Sequence, residues 1–243
     1  MVGQYIEPMP LLNFANAPSQ CEVCRQWSAA ALCADCIARF AAPSSRCARC
    51  GLRLGLPAPA CGTCLREPPV FEHTLCVADY GFPWDQLIAA FKFEGRVELA
   101  APLARCLHAA VLRAGIQPKG LVLPLPLSPR RLAERGYNQA WELARRVAAL
   151  AQLPTRADLL QRPIETPHQA ELGRAERQRN LRSAFMVEPR LRQTLQGQQV
   201  ILVDDVMTTG TTAREAAAAL LRAGASAVDV WVIARTPDAS PGR

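Results

Sequence analysis

Residues 200–212 read VILVDDVMTTGTT. Val200, Ile201, Leu202 and Val203 are four consecutive apolar residues, the pattern of a strand buried on both faces. Asp204 and Asp205 follow where that strand is expected to end. A short run from Met207 to Thr212 then carries four threonines and Gly210. Beyond it the composition turns to Ala, Leu, Arg and Glu, all good helix formers. The order is buried strand, paired acids, hydroxyl and glycine loop, helix start. Amides and hydroxyls at a helix N-terminus hold phosphate, and carboxylates accept hydrogen bonds from sugar hydroxyls. The segment reads as a grip for a phosphorylated sugar. A plain buried strand followed by a Thr-capped helix would account for the apolar run and one threonine. It leaves two adjacent acids and three threonines without a reason.

Working outward, residues 70–236 alternate strand-like and helix-like stretches, as an α/β domain does. Strands are expected over 73–80, 120–127, 158–161, 199–203 and 227–234. Helices are expected over 84–93, 97–114, 131–150 and 211–223, the last stopped by Gly224. Within 131–150, Tyr137, Trp141, Ala144, Val147 and Ala148 share one helical face. Residues 1–20 form a leader without clear period, and 237–243 a polar, frayed tail. Residues 21–68 hold Pro, Gly and little apolar periodicity, too little to bury a core unaided.

That segment holds eight of the chain's ten cysteines. They form four C-x-x-C pairs: Cys21 and Cys24, Cys33 and Cys36, Cys47 and Cys50, Cys61 and Cys64. Two intervening residues let both thiolates of a knuckle face one ion, and two knuckles close a tetrahedral zinc site. Eight thiolates fit two structural zincs, whose binding supplies folding free energy the segment lacks. The simplest pairing joins the first two knuckles and the last two; interleaved ligation fits the spacing as well. Gly51 and Gly62 each follow a cysteine where a knuckle turn calls for glycine. A thioredoxin-like redox role would need one such pair beside a βαβ unit, not four in succession. Cys76 and Cys106 lie in apolar surroundings and read as core thiols.

The 243 residues carry a net charge of +7, with Lys92 and Lys119 the only lysines. Arginine richness reads first as the codon bias of a GC-rich genome. The charge is nevertheless uneven: residues 125–185 hold eleven Arg against six acids, which suits an anionic ligand, whether nucleic acid or polyphosphate. No apolar run approaches the ~18–20 residues of a membrane span. The N-terminus lacks the basic region of a signal peptide. A soluble, cytoplasmic protein without membrane insertion is expected.

The stretch VILVDDVMTTGTT resembles, position by position, the phosphoribosyl pyrophosphate (PRPP) signature of type I phosphoribosyltransferases. The resemblance implies that Asp204 and Asp205 hold the ribose 2′ and 3′ hydroxyls. It further implies that Thr208, Thr209, Gly210, Thr211 and Thr212 wrap the 5′-phosphate, with magnesium accompanying PRPP. The wider chain resembles the ComF family of DNA-uptake and DNA-utilisation proteins. The resemblance rests on the C-x-x-C ladder, FKFEGR at 91–96, LPLPLSPRRLAERGYNQA at 123–140, the signature, and HQAELGRAERQRNLRSAF at 168–185. It implies a double zinc ribbon ahead of a Rossmann-like, mainly parallel phosphoribosyltransferase domain. The Pro-rich loop after the second strand is then expected to face the pyrophosphate, with Arg131, Arg135, Gly136, Asn138 and Gln139 near it. Arginine's planar fork suits phosphate oxygens, although Arg130 and Arg131 also fit a solvated helix face. Residues 174–182 hold four Arg and no lysine. They read either as the loop that closes over the site, with Arg177 or Arg179 toward the phosphates, or as a surface helix. His168 reads as an acid or base, or as polar surface. Lys92 either reaches the phosphates or lays its stem along apolar surface.

Two functions follow from the resemblance. One is transfer of ribose 5-phosphate from PRPP to an acceptor. The other is a DNA- or protein-binding adaptor, with single-stranded DNA or competence proteins as partners and the PRPP pocket regulatory. No base-recognition segment is identifiable, and only Trp27 and Phe40 offer stacking surfaces in the ribbon before Phe71.

Overall fold

The computed structural model describes residues 19–163 and 184–238. The apolar run forms β7 (Gln199–Met207), in which Val200, Ile201, Leu202 and Val203 are almost wholly buried. It lies between β4 (Leu121–Pro124) and β8 (Ala227–Arg235), parallel to both. The strand β3 (Thr74–Asp79) adds to the far side of β8, giving a parallel sheet of order β3-β8-β7-β4. The start of β4 passes so close to β7 that a Cβ on Gly120 would sit 2.0 Å from the Gln199 carbonyl oxygen, and Gly120 adopts a φ of +100°.

Successive strand side chains point to opposite faces, so β7 feeds two cores. Ile201 and Val203 join the cluster under α3 (Trp84–Phe93), α4 (Ala100–Arg113) and α6 (Gln139–Ala151). Val200 and Leu202 join the cluster under α7 (Thr211–Arg222). That second cluster also takes in Leu159, Leu160 and Phe185 beside the antiparallel pair β5 (Leu160–Gln161) and β6 (Met186–Val187). Cys76 and Cys106 are buried in these cores, as their surroundings in the sequence suggest.

Two elements differ from expectation. The β7 strand runs through both acids to Met207, because β8 continues to pair with it up to Met207 opposite Arg235. The helix expected over 131–150 is two: α5 (Pro129–Arg135), capped at its start by Ser128, and α6. Between them Gly136 takes the left-handed conformation, φ +77°, and closes α5. Asn138 opens α6, its Oδ1 accepting from the amides of Ala140 at 2.9 Å and Trp141 at 3.4 Å.

The cysteine segment packs on the sheet domain rather than standing apart. Leu32 and Ala41 belong to the first core cluster, with Val23, Ile37 and Phe40 against it. The Trp84 indole donates to the Phe40 carbonyl at 2.8 Å, and Arg96 pairs with Glu22 at 2.7 Å. No helix among the described residues is long and apolar enough to cross a membrane.

Candidate functional site

A parallel sheet presents its ligand crevice at the carboxyl ends of its strands. Here that end gathers Asp204 and Asp205, the loop to Gly210, the start of α7, the turn after β4 and the end of α3. The two acids leave β7 on opposite faces. Asp205 is buried on the α3 side, where Lys92 Nζ lies 2.6 Å from its Oδ1. Its Oδ2 is buried with no hydrogen-bond partner. Lys92 thus meets a carboxylate, a third outcome beside the two the sequence allowed. Asp204 is half-buried on the other face and accepts from the Asp205 amide at 2.8 Å. Burial, then the neighbouring Asp205 carboxylate, push Asp204 up to about 8 against the opposing pull of Lys92 and Arg135. The recess beside it is lined by Leu125, Met207, Thr208, Gly210, Thr212 and Ala213, with Leu202, Val230 and Val232 at its base.

The loop geometry follows from Gly210. Its φ of +78° turns the chain from β7 into α7, and a Cβ there would meet the Met207 sulfur at 3.5 Å. Gly210 itself is the N-cap, and no side chain caps α7. A threonine cap is therefore not what these residues are for. Thr209 Oγ1 instead lies 2.9 Å from Thr211 Oγ1 and accepts from the Thr211 amide at 3.4 Å. Beyond Thr211, the first-turn amides of Thr212 and Ala213 and the positive end of the helix dipole face the site as partners for an anion.

Across the crevice, Arg135 ends α5 with its guanidinium 5.0 Å above the exposed Phe93 ring. It lies near enough to Asp204 to lower that group's pKa. Arg130 pairs with Glu134 at 2.7 Å on an exposed face, the solvated alternative. Both ends of the Asn138 side chain are engaged: beyond its cap, Nδ2 donates to the Leu125 carbonyl at 3.2 Å. Asn138 thereby ties α6 to the turn after β4. Gln139 is buried beside it with Oε1 unpartnered. Arg177, Arg179, His168 and the 174–182 segment lie outside the described residues. Two contacts were missed from sequence. Tyr137 donates to the Phe91 carbonyl. Arg235, the charge that ends the apolar run 230–234, is buried against the loop.

The eight cysteines form two groups, Cys21, Cys24, Cys33 and Cys36, then Cys47, Cys50, Cys61 and Cys64. The pairing is sequential, not interleaved. In each group the ligand atoms lie within 4.8 Å of one another, and all ten thiols are free of disulfides. Zinc fits this donor set. A tetrahedral ion with Zn–S of ≈ 2.3 Å sets sulfurs about 3.8 Å apart, and Cys24–Cys33 and Cys50–Cys61 are each 3.8 Å. Each group joins a knuckle to a helix start: Cys33 caps α1 (Ala34–Phe40) and Cys61 precedes α2 (Gly62–Arg66). Gly62 therefore begins a helix instead of making a knuckle turn. In the knuckles the residue after the second cysteine takes the left-handed turn, Arg25 at φ 62° and Gly51 at φ 71°. Burial pushes the Cys21 thiol up, but the amides of Cys33, Cys24 and Val23 outweigh it and bring it to about 6. Burial likewise raises Cys47, yet the Cys61, Cys50 and Arg49 amides bring it to about 7.

Sheet, acid pair and glycine-turned helix start define a phosphoribosyltransferase-type α/β domain, carried with two four-cysteine groups ahead of it. The family model for the phosphoribosyl transferase domain matches residues 167–240. The DNA utilization protein YhgH of Escherichia coli is 38% identical over 177 residues, 71% of this chain and 76% of that protein. Competence protein F of Haemophilus influenzae is 31% identical over 176 residues, 71% of this chain and 76% of that protein. Competence protein ComFC of Bacillus subtilis is 25% identical over 169 residues, 68% of this chain and 65% of that protein. The chain belongs to this ComF family of DNA utilization and competence proteins. Among solved structures, glutamine PRPP amidotransferase from B. subtilis is similar at 17% identity and TM-score 0.41, over 59% of this chain and 30% of that one.

Proposed function

We propose that this protein binds Mg·PRPP, or a related ribose phosphate, and acts in the cytoplasm in DNA uptake or DNA utilisation. The observation that carries the reading is the buried, partnerless Oδ2 of Asp205 beside an Asp204 pushed up to about 8. Such groups are rare in native folds and concentrate at binding and catalytic sites. Ribose hydroxyls would donate to these carboxylates. The uncapped start of α7 and the Thr208–Thr212 hydroxyls would take the 5′-phosphate. The hard oxygens of the acid pair also suit Mg²⁺, which when bound would neutralise charge on the pyrophosphate. Arg135 on the opposite wall would do the same, and Asn138 would hold that wall in place through the Leu125 carbonyl. The division into a ribbon over 21–68 and a transferase-type domain over 70–236 belongs to the same reading.

Calorimetric titration of the zinc-loaded protein with Mg·PRPP, ribose 5-phosphate and pyrophosphate tests it. Binding by wild type, lost in Asp204→Asn and in Asp205→Asn, is expected. No heat of binding from wild type with any of the three sinks the reading.

A second reading, contact with single-stranded DNA, is favoured by Trp27. This indole is 71% exposed on β2 (Trp27–Ser28), which pairs with β1 (Ser19–Gln20), and lies two residues from the exposed Arg25. Stacking on an aromatic beside a cation is how single strands are held without sequence preference. Binding of an oligonucleotide that weakens with salt, and weakens further in Trp27→Ala, is expected. No binding even at low salt removes this second reading.

A further inference from the structure

The second group of four cysteines and the phosphate loop share one side chain. Arg235 ends β8 and is 9% exposed. Its Nε donates to the Cys50 carbonyl at 3.0 Å. Its Nη1 donates to the carbonyls of Met207 at 3.5 Å, Thr208, and Thr236 at 2.5 Å. Among the described residues no carboxylate pairs with it, so its charge is met by backbone carbonyl oxygens alone. One of these belongs to a cysteine of the second group, and two to the entrance of the loop that turns into α7.

The knuckle side of this bridge is stiff. The Gly51 amide donates to the Cys47 carbonyl at 2.8 Å. Arg46 donates to the Gly51 carbonyl at 3.1 Å and pairs with Asp79 at 2.6 Å. Gly51 also lies so close to β3 that a Cβ would come within 2.9 Å of Thr74 Cγ2. The direction of the Cys50 carbonyl is thus set by the closed knuckle. If the knuckle opens, Arg235 loses the acceptor of Nε, and a buried guanidinium with an unmet donor must move to find another. The carbonyls of Met207 and Thr208 would move with it. The first group has no such link to this loop among the described residues. Its contacts, Glu22 with Arg96 and Phe40 with Trp84, run to the α3–α4 side.

We propose that Arg235 is a positioning residue through which metal loading at Cys47, Cys50, Cys61 and Cys64 sets the shape of the phosphate loop. The ribose-phosphate affinity then depends on the second metal site far more than on the first. The proposal rests on the loop being the phosphate site, and its test reads the loop separately from the ligand.

The experiment is amide hydrogen exchange over residues 206–214, with Mg·PRPP titration alongside, on full-length zinc-loaded protein. Cys64→Ala opens the second site without touching Cys50, Cys36→Ala opens the first, and Arg235→Lys keeps the charge but removes the fork. Loss of a charged hydrogen bond predicts that Cys64→Ala and Arg235→Lys each speed exchange in the loop by about tenfold or more, and weaken Mg·PRPP by a similar factor. The double variant should be no worse than either alone, and Cys36→Ala should leave the loop close to wild type. Equal loosening by Cys36→Ala and Cys64→Ala, or no loosening by Cys64→Ala, overturns the proposal. Exchange over 121–124 serves as reference. If Cys64→Ala opens that strand too, Arg235→Lys decides, and unchanged loop exchange there overturns the proposal. Wild type that fails to bind Mg·PRPP defeats the functional reading, while the exchange pattern still judges the coupling.

Discussion

At the scale of single residues the site stores its tension in Asp204. An unfolded Asp titrates near 3.9, whereas burial and the Asp205 carboxylate push Asp204 up to about 8. Between these values the folded protein holds one proton more than the unfolded chain, so stability present at low pH is lost as pH rises toward 8. A single extra proton makes that slope at most about 1.4 kcal/mol per pH unit. In melts of ligand-free, zinc-loaded protein, Asp204→Asn should gain stability relative to wild type steadily as the pH is raised from 5 to 8. Parallel curves would show that Asp204 is not strained. Gly210 makes a second prediction. At φ +78°, Gly210→Ala should cost about 1–2 kcal/mol of stability and weaken Mg·PRPP in titrations by a larger free energy than that, because it distorts the loop rather than the core. The signature's residue types were legible in the sequence. The opposite orientation of the acids was not, because the apolar run stops at Val203 and only the pairing with β8 carries strand alternation on through positions 204 and 205.

At the scale of elements, the turn between α5 and α6 shows why a helical pattern can hide a break. Tyr137, Trp141, Ala144 and Val147 do keep helical spacing, and Trp141, Ala144 and Val147 lie on α6. The spacing alone gave no reason to stop at Gly136, although a glycine there was already costly for a continuous helix. The break frees Asn138 to cap α6 and hold the Leu125 carbonyl with the other end of its amide. Asn138→Ala should lose both, at about 1–2 kcal/mol for the cap. Asn138→Asp keeps an oxygen for the cap and loses the donor to Leu125. It should therefore retain most of the stability while weakening pyrophosphate or Mg·PRPP binding as much as Asn138→Ala does. Paired urea melts and titrations separate the two roles, and equal stability losses in both variants would assign Asn138 to the tie alone.

At the scale of the whole molecule, the cysteine ladder was legible because thiolate spacing is local chemistry, and the sequential pairing was the simplest the spacing allowed. The dependence of the sheet domain on the ladder was not legible, because it rests on contacts between residues far apart in sequence. Leu32 and Ala41 sit in the core shared with α3, α4 and α6, and the Trp84 indole is held by the Phe40 carbonyl at the end of α1. Beyond Arg46, the second group is tied down by Thr74, whose amide donates to the Ala48 carbonyl at 2.8 Å and whose hydroxyl donates to that of Arg49 at 2.7 Å. A segment that cannot bury a core alone thus lends side chains to its neighbour's and takes its own order from metal. Removing metal should then destabilise everything it touches. Stripping with a chelator under reducing conditions should lower the melting temperature of the sheet domain itself, by roughly 5–10 °C if two or three kcal/mol of shared packing are lost. It should also shift the emission of Trp84, whose indole loses its acceptor. Restoring zinc should recover both, since the thiols carry no disulfides. A sheet domain that melts at an unchanged temperature after stripping, with only a separate early transition for the ribbon, would mean that the two parts fold independently and that the shared core contributes little.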